Sequence, residues 1–238
     1  MNFVTGEVLC FNKPLGMTSF AIVGKSRYVL CKKLGIKKLK VGHAGTLDPL
    51  ATGVVVVCTG KATKRIEEFQ YHTKEYIATL QLGATTPSFD LETPIDEHFP
   101  TEHITRELLE QAISGFVGTI EQVPPAFSAC KIEGKRAYAL ARQGEEVELK
   151  PKTLVIDEIE LLECDLTTAM TAKIRVVCSK GTYIRALARD IGLALGSGAH
   201  LIGLCRTRVG DFRLENCLEI ENFAEWLDQQ QIEITSNI

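Results

Sequence analysis

Residues 42–58 are GHAGTLDPLATGVVVVC, a glycine-rich loop that leads into a continuous apolar run. The β-branched run from Val54 to Cys58 predicts a strand that is buried on both faces. Asp48 comes shortly before it, and the following Pro49 biases Asp48 toward an extended backbone. Because loops held by a rigid scaffold often carry catalytic groups, the stretch predicts a functional carboxylate at the start of a buried strand.

Two other interpretations of Asp48 follow from the residues alone. In the first, its side chain caps the backbone of Leu50 or Ala51, and the segment is only a structural turn. In the second, Asp48 and His43 bind a metal ion together. No third ligand lies near them in the sequence, and the other histidines show neither HxH nor HExxH spacing. The pattern therefore does not favour a metal site.

The sequence on either side of this loop predicts alternating strands and helices. Further strands are expected at 7–12, 74–82, 154–162, 171–178 and 200–209, and helices at about 18–34, 105–114, 182–195 and 222–229. Several neighbouring strands have connections too short for a crossover between parallel strands. The sequence therefore predicts an α+β fold, in which helices flank a mixed, largely antiparallel central sheet.

Charge is divided unevenly along the 238 residues, although the net charge is only −3. Residues 1–90 have an excess of six positive charges, whereas residues 91–238 have an excess of nine negative charges. Such an asymmetry is typical of a one-sided site for a polyanion. The candidates for phosphate contacts are the five lysines within 32–40, Lys61, Lys64 and Arg65. A solvated helix end and turn would have the same composition as the 32–40 cluster.

The remaining composition is that of an ordinary globular protein. The 8 cysteines form no CxxC pair, which favours free thiols in a reducing cytosol. The N-terminus lacks a signal-peptide pattern and the apolar runs are too short to cross a bilayer, so a soluble cytoplasmic protein is expected. No GxGxxG, Walker-type or GxSxG motif is present, which disfavours nucleotide cofactors and serine hydrolase chemistry.

The loop at 42–53 also resembles the catalytic motif of the TruB-type tRNA pseudouridine synthases. Other segments resemble further motifs of that family, and they occur in the family's order. They are NKPLGMTS at 12–19, KEY at 74–76, the block at 122–144, CSKGTYIR at 178–185 and GAHLIGL at 198–204. The resemblance covers about residues 6–210, and the ordered set of motifs makes it specific.

This resemblance implies a pseudouridine synthase fold and a defined reaction. Members of the family convert uridine 55 in the T-loop of tRNA to pseudouridine, without a metal or another cofactor. The reaction breaks the N1–C1′ bond, rotates the uracil and joins its C5 to C1′, so no redox change occurs. It requires a carboxylate, and Asp48 occupies that position of the motif. Attack on C1′, attack on C6 and removal of the 2′ proton all stay open as its role.

The resemblance also implies a set of substrate-binding residues. Tyr76 matches the aromatic residue that stacks on the target base, and Tyr183 and Leu204 match the other walls of the uracil pocket. His43 matches the histidine that contacts the flipped-out nucleotide. Arg185 matches the arginine that pairs with the catalytic carboxylate. Without the motifs, these side chains have ordinary interpretations as packing, loop or surface residues.

The expected organisation is a single pseudouridine synthase domain over 1–238, with an RNA-clamping insertion around 87–125. A C-terminal PUA-type domain is expected to be absent, and the chain is expected to act on tRNA as a monomer. Two rival functions stay open. One is a non-catalytic RNA-binding or RNA-folding module, which would have no need of Asp48. The other is a metal-dependent hydrolase that uses His43 and Asp48, which a chelator would inactivate.

Overall fold

The computed structural model describes residues 1–128, 131–132, 135–137 and 149–233, so part of the motif block at 122–144 lies outside the described residues. The chain forms two compact units. The first unit combines Met1–Glu75 with Cys205–Ile238, and the second unit is Tyr76–Leu204. The expected single domain and its insertion around 87–125 stay predictions.

The described residues form strands of 2 to 14 residues and five α-helices. The strands are β1 Val8–Lys13, β2 Val41–His43, β3 Thr52–Thr59, β4 Lys74–Leu82, β5 Ala84–Thr85, β6 Glu97–His98, β7 Gly118–Gln122, β8 Lys131–Ile132, β9 Lys135–Arg136, β10 Lys152–Asp165, β11 Thr171–Cys178, β12 Ala199–Val209, β13 Phe212–Arg213 and β14 Leu218–Glu219. The helices are α1 Ser19–Leu34, α2 Ile66–Tyr71, α3 Arg106–Ser114, α4 Ile184–Ala194 and α5 Phe223–Asp228. None of the described helices is long and apolar enough to cross a membrane.

The first unit is organised around β3, whose residues from Gly53 to Thr59 are all buried. Its strands follow the order β14-β1-β3-β12. β1 and β2 run antiparallel to β3, whereas β12 runs parallel to it and β14 runs parallel to β1. Val54, Val56 and Cys58 enter one core cluster with Phe69 of α2. The β-branched run thus forms the buried strand that the sequence predicts.

Helix α1 begins and ends at residues that the sequence marks. The hydroxyl of Thr18 accepts a hydrogen bond from the Ala21 N–H and caps the first turn. Gly35 follows the last turn with a φ of 65°, the left-handed conformation typical of a helix C-terminus. Ile22 and Leu30 are fully buried, so α1 covers the core with one face and exposes the other.

The second unit has the strand order β12-β4-β11-β10-β7, to which β12 contributes its first half. β10 pairs antiparallel with both β11 and β7. The turn between β10 and β11 is closed by the carboxylate of Asp165, which accepts backbone hydrogen bonds from Thr167, Thr168 and Ala169. These bonds lower the pKa of Asp165 to about 2.

The fold class is confirmed, because a mixed and mostly antiparallel sheet is combined with helices. Each strand and helix that the sequence predicts is present within a few residues of its expected limits. The sequence interpretation missed the helical segment after β3, where a 3-10 turn at Gly60–Arg65 continues into α2. It also missed β7, which lies within the region 87–125 and pairs with β10 in the sheet.

Candidate active site

The segment between β2 and β3, which carries Asp48, is held by backbone hydrogen bonds. The Ala44 N–H donates to the Val56 carbonyl at 2.9 Å, and the Ala51 N–H donates to the Asp48 carbonyl at 3.0 Å. Gly16, in the loop between β1 and α1, donates its N–H to the Pro49 carbonyl at 2.8 Å. The carboxylate is therefore presented by a fixed turn. The Asp48 side chain is half-buried in this turn.

Arg206 of β12 anchors the same segment from inside the first unit. Its side chain is 2% exposed and donates from Nε to the Val54 carbonyl at 2.7 Å. Its terminal nitrogens lie 3.5 Å from the Thr46 carbonyl and 3.4 Å from the Gly45 carbonyl. One guanidinium thus connects the loop before Asp48 to the strand after it, a task that suits its planar fork of donors.

Lys13, at the end of β1, is the second buried cation of this region. It is 0% exposed, and its Nζ donates to the carbonyls of Pro14, Met17 and Pro49 at 3.0, 2.7 and 3.3 Å. Burial lowers the pKa of Lys13 to about 8, while the charge of Asp48 opposes the shift. The amine thus fixes the residue after Asp48 and interacts electrostatically with the carboxylate itself.

The first residue of α1 supplies a further anchor. The buried Ser19 hydroxyl accepts a hydrogen bond from the Leu47 N–H at 2.8 Å and lies 3.1 Å from the Leu47 carbonyl. Leu47 is itself only 4% exposed. The residue before Asp48 is therefore immobilised by packing and by hydrogen bonding, which reduces the freedom of the carboxylate.

His43, the last residue of β2, lies five positions before Asp48 and is half-buried. Burial is the main cause that lowers its pKa below the usual value, and the Arg206 charge acts in the same direction. The imidazole is therefore neutral at pH 7. Among the described residues, no group of three His, Cys, Asp or Glu side chains is arranged to hold a metal ion.

In the second unit, Arg185 is buried in the first turn of α4. Its Nε lies 3.5 Å from the Asp90 carboxylate, and both side chains are less than 10% exposed. Its terminal nitrogens donate to the Ser88 carbonyl at 3.2 Å and to the Phe127 carbonyl at 2.9 Å. The pairing of Arg185 with Asp48 that the resemblance implies stays a prediction.

The remaining predicted residues lie in the second unit. Tyr183 precedes α4, and its backbone N–H and carbonyl bond to the side chain of the buried Gln122 at 2.9 and 3.2 Å. Tyr76 is 8% exposed on β4, and Leu204 is half-buried on β12. The structure thus brings His43 and Asp48 together in one unit and places the other four residues in the other. Their assigned roles stay predictions.

Sequence reasoning missed three charged residues of these surroundings. Arg206 is one of two arginines in the strand predicted at 200–209, and no sequence signal marks it as the buried one. Lys13 belongs to the motif at 12–19 but had no assigned role. Asp90 lies in a segment that the sequence presents only as a polar loop, and nothing in that segment indicates a buried ion pair.

Two family models match the chain. The model of the TruB family pseudouridylate synthase N-terminal domain matches residues 32–184, and that of the tRNA pseudouridylate synthase B C-terminal domain matches residues 185–235. The chain is therefore a pseudouridine synthase, an isomerase by class. It belongs to the TruB family, as the motif resemblance predicts.

Curated relatives agree with this assignment. The chain is 75% identical over 237 residues to a Phocaeicola vulgatus protein named tRNA pseudouridine synthase B, and the match covers 100% of both chains. It is 50% identical to a Flavobacterium johnsoniae protein of the same name, over 94% of this chain and 97% of that one. A Mycobacterium leprae protein of that name is 43% identical over 92% of this chain and 68% of its own.

Solved structures are similar as well. A chain in the crystal structure of a Cbf5-Nop10-Gar1 complex matches 94% of this chain, with a TM-score of 0.70 and 29% identity. A chain in the structure of an H/ACA RNP bound to a substrate RNA containing 2′-deoxyuridine matches 94%, with a TM-score of 0.67 and 28% identity. This chain spans 55% and 54% of those two chains.

Proposed function

We propose that this protein isomerises uridine 55 to pseudouridine in the T-loop of tRNA, and that Asp48 is the catalytic carboxylate. The name of the relative at 75% identity, tRNA pseudouridine synthase B, supports tRNA as the substrate. The observation that carries the proposal is the fixed position of Asp48, which follows a residue held by Ser19 and precedes a residue held by Lys13. Such preorganisation is what a reaction at one sugar carbon requires.

The chemistry fits the charges around Asp48. Isomerisation exchanges an N1–C1′ bond for a C5–C1′ bond, so it needs neither a redox group nor a metal. A carboxylate acts on the sugar or the uracil ring, and the charge of Lys13 interacts electrostatically with Asp48. Arg206 and Lys13 act as positioning residues, because they bind the backbone around Asp48 and not the substrate.

The remaining assignments describe how uridine is held. The target base leaves its stack, which costs a few kcal/mol and is easiest from a loop. Tyr76 stacks on the base, and Tyr183 and Leu204 form other walls of its pocket. His43 contacts the flipped-out nucleotide as a neutral imidazole. Arg185 is assigned to the same set of substrate-binding residues, in a position that Asp90 helps to hold.

The proposed partner is one tRNA molecule, and the protein acts as a cytoplasmic monomer without a cofactor. The chain is proposed to form one catalytic domain, in which the segment around 87–125 clamps RNA. The proposed isomerase and a metal-dependent hydrolase would give different products. Isomerisation leaves the RNA chain intact and the base attached to its ribose. The isomerase differs from a pure binding module in that Asp48 is necessary.

The test is to map pseudouridine by mass spectrometry in an unmodified tRNA transcript that has been incubated with the protein and EDTA. We expect one pseudouridine, at position 55, and no loss of base or cleavage of the chain. A matched transcript with cytidine at position 55 is expected to stay unmodified. Modification at another position would reject the substrate site. Loss of base or cleavage of the chain that occurs only when metal is added in place of EDTA would support the hydrolase instead.

A further inference from the structure

A groove of about 580 Å³ lies along the exposed face of α1 in the first unit. The second half of α1 and the segment after the helix form its walls. The helical lining residues are Gly24, Arg27, Tyr28 and Cys31, at the spacing i, i+3, i+4 and i+7 of one helix face. None of them belongs to the residues assigned above to uridine, so the groove is a separate feature of the molecule.

Positive charge dominates this part of the chain. Residues 8–47 contain eight Lys or Arg and no Asp or Glu. On one side of α1, lysine charges are neutralised by carboxylates in the C-terminal part of the first unit. Lys25 pairs with Glu221 at 3.5 Å, and Lys33 pairs with Asp228 at 2.6 Å. These two lysines, although they belong to the basic region, already have anionic partners within the protein.

The basic residues on the groove side of α1 differ from these two lysines. Arg27 lines it from α1, and Lys37 and Lys38 line it from the following segment. All three are exposed, and within the described part of the chain none of them forms an ion pair. Three positive charges therefore converge on one groove without a carboxylate to neutralise them, which is a surface complementary to a polyanion.

Aromatic side chains accompany these charges. Tyr28 lines the groove and is 68% exposed, and Phe20, on the same helix face, is 70% exposed. Eight residues of α-helix separate them by about 12 Å. Gly24 lies between them without a side chain and leaves the face open. Exposed rings beside unpaired cations are the combination that binds single-stranded nucleic acid, because bases stack on the rings while phosphates bind the cations.

We propose that this groove binds an unpaired stretch of RNA outside the catalytic site, with one base stacked on Tyr28 and the backbone phosphates on Arg27, Lys37 and Lys38. The inference rests on the proposed function only in taking RNA as the occupant. An acidic protein segment would use the cations and leave the rings without a role. A structured duplex would present phosphates and no free base faces.

The charge component is tested by two double variants of the full chain that remove the same number of lysines. Lys37→Gln with Lys38→Gln changes the groove, whereas Lys25→Gln with Lys33→Gln changes the ion-paired side. Binding of a fluorescent single-stranded RNA 12-mer is measured at several salt concentrations. We expect the groove variant to bind about tenfold more weakly and to lower the salt slope by about 1.4. Equal salt slopes for the two double variants would contradict the placement of RNA phosphates on Lys37 and Lys38.

The stacking component is tested by Tyr28→Ala and Tyr28→Phe. Loss of the ring is expected to weaken binding of the 12-mer about tenfold without a change in salt slope, and the phenylalanine variant is expected to bind as the wild type does. Ultraviolet cross-linking of the bound RNA should modify the peptide that contains Tyr28. Wild-type affinity in Tyr28→Ala, or equal competition by duplex RNA of the same length, would contradict the proposal.

These readouts separate the groove from the proposed function. The 12-mer contains adenosine and cytidine only, so its binding does not depend on modification of any uridine. Failure to find pseudouridine at position 55, with groove variants that still lose RNA binding, would reject the tRNA reaction and keep the groove. Normal modification by variants that bind the 12-mer as the wild type does would reject the groove alone.

Discussion

The guanidinium of Arg206 donates from Nε to the carbonyl oxygen of Val54 across 2.7 Å, in the interior of the first unit. The two residues lie on neighbouring parallel strands, where Arg206 is also the register partner of Gly53. The same guanidinium reaches the carbonyls of Gly45 and Thr46. The geometry of the Asp48 loop therefore depends on a side chain that never needs to contact RNA.

Replacing Arg206 with lysine should reduce turnover more than binding. A single ammonium cannot satisfy carbonyls on both sides of the loop, so the loop shifts and kcat falls on the order of a hundredfold. Steady-state kinetics with a tRNA transcript measure the effect on kcat and KM. The control is Arg208→Lys, on the same strand, where the guanidinium lies 3.5 Å from Glu75. Equal kinetic losses in both variants would show that Arg206 has no special role.

Asp48→Asn should bind tRNA with nearly wild-type affinity and produce no pseudouridine. The substitution keeps the size of the side chain and removes the charge that the reaction requires. Filter binding and mass spectrometric mapping of the product measure the two properties separately. Glu67→Gln makes the same chemical change at an exposed position of the first unit and should leave turnover intact. Pseudouridine formed by a pure Asp48→Asn preparation would refute the catalytic assignment.

Lys13 should make stability depend on alkaline pH. Its pKa is lowered from 10.5 to about 8 in the folded chain, so the unfolded chain holds the proton more tightly. Burial of the charged Lys13 amine lowers the free energy of unfolding below pH 8, and this destabilisation disappears as the pH rises to 10.5. The free energy of unfolding, measured by urea titration, should therefore rise by about 3 kcal/mol relative to Lys13→Met over this interval.

The comparison for that experiment is Lys40→Met, which removes an exposed lysine of the same unit. Its difference from the wild type should stay constant over the same pH range. A constant difference for Lys13→Met as well would mean that burial does not perturb this amine.

Gly53→Ala should destabilise the first unit strongly. Gly53 has a φ of 105°, and a Cβ there would collide with the backbone of Arg206. Gly35 also has a positive φ, of 65°, but a Cβ there would meet nothing within 4 Å. Gly35→Ala should therefore cost only about 1 kcal/mol from backbone strain, and Gly53→Ala should cost clearly more. Thermal unfolding of both variants measures the difference, and equal losses would exclude the collision.

Asp90→Asn should lower the stability of the second unit by about 3 kcal/mol, because it removes the anionic partner from the buried ion pair with Arg185. Chemical denaturation measures the loss. Asp96→Asn is the matched change at an exposed carboxylate that accepts a hydrogen bond from Thr85 at 2.7 Å. It should cost less than about 1 kcal/mol. A smaller loss in Asp90→Asn than in Asp96→Asn would show that the pair contributes nothing.

The predictable parts of the fold are those with a local cause. The β-branched run Val54–Cys58 specifies a buried strand, and Thr18 with Gly35 specifies the two ends of α1. The loop geometry around Asp48 was also accessible from the sequence, because Pro49 restricts the backbone locally and the glycines permit conformations that other residues avoid. The identity of the reaction came from the family resemblance, since spacing alone left a structural turn or a metal site open.

The unpredicted parts depend on contacts between distant positions. The bonds of Arg206 to the loop join residues 160 positions apart, and those of Arg185 to its carbonyl partners join residues 97 and 58 apart. No periodicity in either segment encodes such partners. The helical segment after β3 was missed because Gly60 and a polar composition resemble a loop, although the buried Phe69 makes it part of the core.

The separation along the sequence between Arg206 and the Asp48 loop, 160 residues to Thr46, also has a consequence for biosynthesis. A ribosome that adds about 5–20 residues per second needs roughly 8–30 s to pass from one to the other. During that time the nascent polypeptide carries Asp48 on a segment that lacks its guanidinium clamp. Nascent chains that have not yet reached Arg206 therefore cannot assemble the mature geometry of this loop.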